Sequence, residues 1–171
     1  ERVLYAGNGN IKLVYGDKEV SVTCDFWDRP DFLKNEVILQ GRAPEFDNEI
    51  MLSMVICEEL DIELGDIVYV KGTGKEMDYI LCGIDQKINN MGRKALMTTD
   101  GEERLNGSST CSQLCVYGKE GVSDEELAKL LNDTYPQRKA MEAVKMSGET
   151  LKPINLVLKL LCAIFIAVTA F

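Results

Sequence analysis

The last sixteen residues, Leu156 to Phe171 (LVLKLLCAIFIAVTAF), carry a single charge, Lys159, and show no polar face. On a helix, Leu156, Leu160, Ile164 and Val168 share one side, while Leu158, Leu161, Phe165 and Ala167 fall on others. A surface helix would keep a polar flank at a period near 3.6. The ten Leu, Ile, Val and Phe residues of the run favour insertion into lipid by roughly 3–6 kcal/mol in total. Lys159 opposes this by about 3 kcal/mol at most, and by less if its ammonium snorkels to a headgroup. At 1.5 Å per residue the run covers about 24 Å of a ~30 Å hydrocarbon layer. Residues 153–171 therefore read as the beginning of a transmembrane helix. Its embedded side chains are Leu156, Val157, Leu158, Leu160, Leu161, Cys162, Ala163, Ile164, Phe165, Ile166, Ala167, Val168 and Phe171. The alternative is a buried C-terminal core helix.

The remainder is acidic. Lys159 is the only charge from Pro153 onward, which leaves 18 basic against 28 acidic residues in 1–152. That balance argues against a nucleic-acid partner, because phosphate neutralisation needs clustered Lys and Arg. There is no histidine, which excludes Ser-His-Asp and Cys-His triads and HExxH zinc sites within this chain. The chain opens on Glu1 and no signal peptide follows. The expectation is of an upstream segment, with a preceding membrane helix as one candidate.

Residues 1–152 read as a strand-rich α+β head with two or three short helices. Ile11–Tyr15 and Val20–Cys24 alternate apolar and polar residues around Gly16-Asp17, a hairpin signal, and Gly7-Asn8-Gly9-Asn10 reads as a turn cluster. Strands are expected at 36–39 and 49–52, flanking the loop Gly41-Arg42-Ala43-Pro44, with Ser53 capping a helix from Met54 to Leu60. A second hairpin spans Ile67–Lys71 and Met77–Ile84, and further strands fall at 95–98 and 113–117. Ser123-Asp124-Glu125-Glu126 is a capping box for an amphipathic helix with Leu127, Leu130 and Leu131 inward. The head is expected as one extracytoplasmic domain, 1–152, with a division into two lobes open, 36–106 then being a smaller β-rich one.

Chemical motifs are few. Gly72-Thr73-Gly74-Lys75 lacks the first glycine of a phosphate loop and has Glu76 where Ser or Thr is required, so it reads as a hairpin turn. Asp25, Asp28 and Asp31 lack the glycine and closing glutamate of a calcium loop. Cys24, Cys57, Cys82, Cys111 and Cys115 leave an odd number in the head. On a strand, Cys111 and Cys115 lie about 13 Å apart, beyond disulfide reach. No catalytic, cofactor-binding or metal-ligating residue is singled out.

Four stretches carry a resemblance: Glu36-Val37-Ile38-Leu39-Gln40-Gly41-Arg42-Ala43-Pro44, then Asn48-Glu49-Ile50-Met51-Leu52-Ser53, then Glu59 through Val70, then Ile80-Leu81-Cys82-Gly83-Ile84. In that order they resemble the extracytoplasmic domain of FtsX-like (MacB-type) ABC transporter permeases, strongly over 36–85 and by element order beyond. Asp61 departs from the pattern, standing where a glycine is common. The matching residues Gly41, Arg42, Pro44, Glu49, Gly65 and Asp66 have scaffold roles: turns, a strand stop, a charge at a strand start and a turn acceptor.

The resemblance implies a domain on the outer side of the cell membrane, between two membrane helices, with no enzymatic activity or cofactor of its own. It implies a cytoplasmic ABC ATPase subunit and a second permease copy or paralogue as partners. ATP hydrolysis would then drive export or extraction of a peptide or lipoprotein, or signalling at the cell surface. The alternative from another class is a membrane-anchored extracellular binding module unrelated to transport.

Overall fold

The structure, a computed structural model, describes residues 2–30, 37–86, 89–141, 157 and 159. Gly16-Asp17 reverses the chain, so β1 (Arg2–Tyr15) and β2 (Lys18–Trp27) pair antiparallel from Tyr15–Lys18 to Ala6–Trp27. The expected turn at Gly7–Asn10 is instead the middle of β1. Its glycines serve close approach. A Cβ at Gly7 would run into the carbonyl oxygen of Thr110, and one at Gly9 would lie 3.3 Å from the Phe26 ring. Glycine inside a strand marks close approach of another backbone or side chain as well as bends.

Six further strands follow: β3 (Ile38–Gly41), β4 (Glu49–Ser53), β5 (Ile67–Lys71), β6 (Glu76–Asp85), β7 (Lys94–Thr98) and β8 (Gln113–Tyr117). Followed from neighbour to neighbour, β1 pairs β2, β2 pairs β7, β7 pairs β4, β4 pairs β6, β6 pairs β5, and β5 returns to β1. The ring is closed: a six-stranded barrel. Two of its six pairings, β2–β7 and β4–β6, are parallel. β3 adds to the outside of the ring on β6, and β8 on the first residues of β1. Closure leaves no open sheet edge within the ring itself.

Side chains alternate into this barrel. Ile11 and Leu13 of β1 meet Val20, Val22, Cys24 and Phe26 of β2, Val68 and Val70 of β5, and Tyr79 and Leu81 of β6, all buried. α1 (Met54–Leu60) adds Ile56, Cys57 and Leu60 to the same core. Ser53 sits at its N-cap with extended backbone but spends its hydroxyl elsewhere, donating to the carbonyl of Gly92.

Sequence reading misses α2 (Thr99–Asn106), whose only buried apolar side chain is Leu105. Its signals are terminal. Thr98 accepts from the Gly101 amide, Asp100 and Glu102 occupy the first turn, and Gly107 closes it in the left-handed region.

The chain divides into two compact units: Arg2–Tyr117, which holds the barrel, and a second that begins at Gly118. In the second unit α3 (Asp124–Thr134) opens with the expected capping box, Ser123 with Glu126. Leu127 and Leu131 are half-buried, whereas Leu130, expected inward, is 60% exposed. After the helix the Asn132 side chain holds Ala140 at both amide and carbonyl, at 2.9 and 3.0 Å.

With the helices α1, α2 and α3 beside eight strands among the described residues, the α+β reading holds. Among those residues no helix is long and apolar enough to cross a membrane. The expected membrane-embedded residues lie outside the described ones except Val157, which is helical and exposed, as is Lys159.

Candidate functional site

The residues that carry the family pattern converge on one stretch of β6, Ile80 to Gly83. Gly41 pairs with Gly83 at φ +70, and a Cβ there would strike the carbonyl oxygen of Cys82. Glycine meets both demands, left-handed backbone and close approach. The Arg42 amide donates to that same carbonyl at 3.0 Å. The Ile80 amide donates to Asn48, the Gly65 amide to Leu81, and the Leu81 amide to Asp66, at 2.8–2.9 Å. Pro44 is buried in the loop between.

Glu49 organises that loop. The residue is 7% exposed, and its carboxylate accepts a bidentate pair from Arg42, Nη1 at 2.8 Å and Nη2 at 2.5 Å. It also accepts the amides of Glu45 (2.9 Å) and Phe46 (3.2 Å). Burial pushes the Glu49 carboxyl up, but the Arg42 fork and the two amides outweigh it, and the group is held below its ordinary value. The Arg42 guanidinium lies 5.8 Å from the ring centre of Phe46, which is 58% exposed. The clamp thus fixes loop 42–48 and presents an aromatic side chain to solvent.

Asp66 does a similar job for the turn after α1. Its carboxylate accepts the Glu63 amide and the Tyr15 hydroxyl, both at 2.9 Å, and these bonds hold it below the usual carboxylate range. The same hydrogen bond to Asp66, together with burial, raises the Tyr15 phenol.

Three polar anchors escape sequence reading, two of them because their partners are remote in sequence. Tyr79, wholly buried, donates to the Gly101 carbonyl at 2.7 Å while Arg104 stacks 5.0 Å from its ring and donates to the Asp78 carbonyl and carboxylate. Glu102 accepts the amide (2.8 Å) and hydroxyl of Thr110. Lys94 pairs with Asp25 at 2.8 Å. These tie α2 to β6 and to the loop before β8, and β7 to β2.

The weighed motifs resolve into structure. Gly72-Thr73-Gly74-Lys75 closes the β5–β6 hairpin, the Gly72 amide donating to Lys75 at 2.9 Å. Asp25 holds Lys94, Asp28 accepts the Tyr5 amide at 3.0 Å, and Asp31 lies outside the described residues. Cys24, Cys57, Cys82, Cys111 and Cys115 are free thiols. Burial pushes Cys57 and Cys82 up to about 12 and Cys24 well above its usual value, which disfavours thiolate. Among the described residues no group of three or more acidic or cysteine side chains is placed to hold a metal ion.

A closed barrel with two added strands, β3 and β8, defines the fold, and solved structures are similar to it overall. The extracellular domain of the noncanonic ABC-type transporter YknZ from Gram-positive bacteria is similar at a TM-score of 0.60 and 18% identity, covering 82% of this chain and 79% of that one. The periplasmic region of MacB from Actinobacillus actinomycetemcomitans gives 0.63 and 12%, covering 89% and 76%. A domain of a permease protein from Porphyromonas gingivalis gives 0.56 and 16%, covering 83% and 72%. No family model matches the sequence, and no curated protein matches it. The resemblance read from residues 36–85 therefore holds at the level of fold: the chain has the fold of extracytoplasmic domains of ABC-type transporter permeases.

Proposed function

We propose that this chain is the extracytoplasmic domain of an ABC-type transporter permease, anchored in the cell membrane through residues 153–171. The observation that carries the reading is the shared fold over most of the chain, joined to the ordered pattern Gly41-Arg42, Glu49 and Gly65-Asp66 gathered on β6. Fold alone does not make function. The acidic head and the apolar stem supply the second support. In this reading ATP is hydrolysed by a cytoplasmic ABC ATPase subunit, a second permease copy or paralogue completes the assembly, and helix movement rearranges the outer head. The head then moves a peptide or lipoprotein, or passes a signal at the cell surface.

Affinity purification of the full-length protein from its native membrane tests this. Recovery of an ATP-binding subunit in stoichiometric amount is the expected result, with a residue in the β1–β2 turn labelled by an impermeant reagent from outside. Labelling from outside with no ATPase recovered would favour the anchored binding module.

A further inference from the structure

Along one face of α1, from Met54 to the turn that follows the helix, lies a cleft of about 260 Å³ that Gln40 of β3 also lines. That is below the ~300–1,000 Å³ of small-molecule pockets and suits a single long side chain. Its floor is apolar: Cys57, Ile62 and Ile84 are buried, and Met54 forms a half-exposed wall. Its rim is acidic: Glu58, Asp61 and Glu63. Among the described residues none of these three carboxylates has a hydrogen-bond or ion-pair partner, and the last turn of α1 holds no basic residue.

The charge is set against local preference. A helix C-terminus carries partial negative charge and favours cations, yet here three acids crowd it. Asp61 also adopts left-handed backbone, φ 61 and ψ 48, a conformation glycine takes without strain. The Tyr15 phenol registers the same field: raised first by its hydrogen bond to Asp66 and by burial, it is raised further by the charges of Asp66, Asp61 and Glu63. An apolar floor under unpaired carboxylates complements a group with an aliphatic stem and a cationic head.

We propose that this cleft docks a cationic peptide segment, one Lys or Arg side chain laying its stem on Met54 and Ile62 and its head among Glu58, Asp61 and Glu63. The inference does not depend on the transport reading.

The test uses the full chain in micelles of an uncharged detergent and a fluorescent hexapeptide alternating lysine with glycine, beside the same peptide with acetylated lysines. The wild type binds the first and not the second, and salt weakens binding. Glu58→Gln/Asp61→Asn/Glu63→Gln weakens it about tenfold, as three exposed pairs would. Asp17→Asn/Glu103→Gln/Glu120→Gln, with the same change in net charge elsewhere, leaves it within about twofold. The Met54 methyl resonance of the wild-type protein shifts on titration while that of Met91 stays. Equal weakening by both triple variants, binding of the acetylated peptide, no binding at all, or an unmoved Met54 methyl overturns the proposal.

Discussion

The barrel and the α3 segment are built by opposite means. In the barrel Leu13, Ile50 and Tyr79 have no exposed surface, and closing the core over them takes strands distant in sequence as well as hairpin neighbours. α3 has the strongest local signature in the chain, a complete capping box with three acids in its first turn, yet none of its residues is buried. Local signals thus specify that a helix forms and where it starts. They do not specify what, if anything, covers it. Burial is where the free energy lies.

The contrast can be broken most forcefully at Tyr79. Tyr79→Ala removes a buried ring and its bond to Gly101, and is expected to cost about 3–5 kcal/mol in urea unfolding of the barrel. Glu49→Gln comes next, at about 1–3 kcal/mol, because it strips the Arg42 fork and leaves loop amides poorly satisfied. Its pH dependence has a definite sign. A carboxyl held below its ordinary value of 4.5 contributes stability that is complete above 4.5 and lost as pH falls through the folded value. The gap between wild type and Glu49→Gln therefore narrows in acid below about pH 4.5, and a gap constant with pH would remove the ion pair from the account.

On the other side of the comparison, Ser123→Ala costs about 1 kcal/mol. The loss is expected in faster hydrogen exchange within Asp124–Thr134, with the barrel's unfolding midpoint unchanged. Leu130→Ala is the smallest, within about 0.5 kcal/mol. A larger loss there would mean that Leu130 meets a covering surface.

What sequence shows follows the same line. α1 is legible because Ser53, the apolar spacing of Ile56, Cys57 and Leu60, and the turn at Asp61 all lie within nine residues. The two hairpins are legible from alternation and glycine turns. α2 is not, since Leu105 alone marks its buried side and its composition reads as loop. The glycines of β1 mislead because a turn glycine and a crowded strand glycine look alike until Thr110 and Phe26 arrive from elsewhere. Barrel closure has no local mark at all: β2 and β7 are parallel neighbours about seventy residues apart. For the candidate site, each of Gly41, Arg42, Glu49, Gly65 and Asp66 is readable singly as turn or charge. Their meeting on Ile80–Gly83 is not, because it depends on β3, β4 and β5 all arriving at β6.

One pairing has a consequence of its own. Arg2, where the chain joins β1, sits opposite Tyr117, where β8 leaves. The barrel is therefore a loop hung from a two-ply stalk whose plies begin and finish side by side. A body joined in that way can be spliced into the surface turn of an unrelated host at little closure entropy, and whatever grips the stalk carries the whole body with it as one rigid passenger.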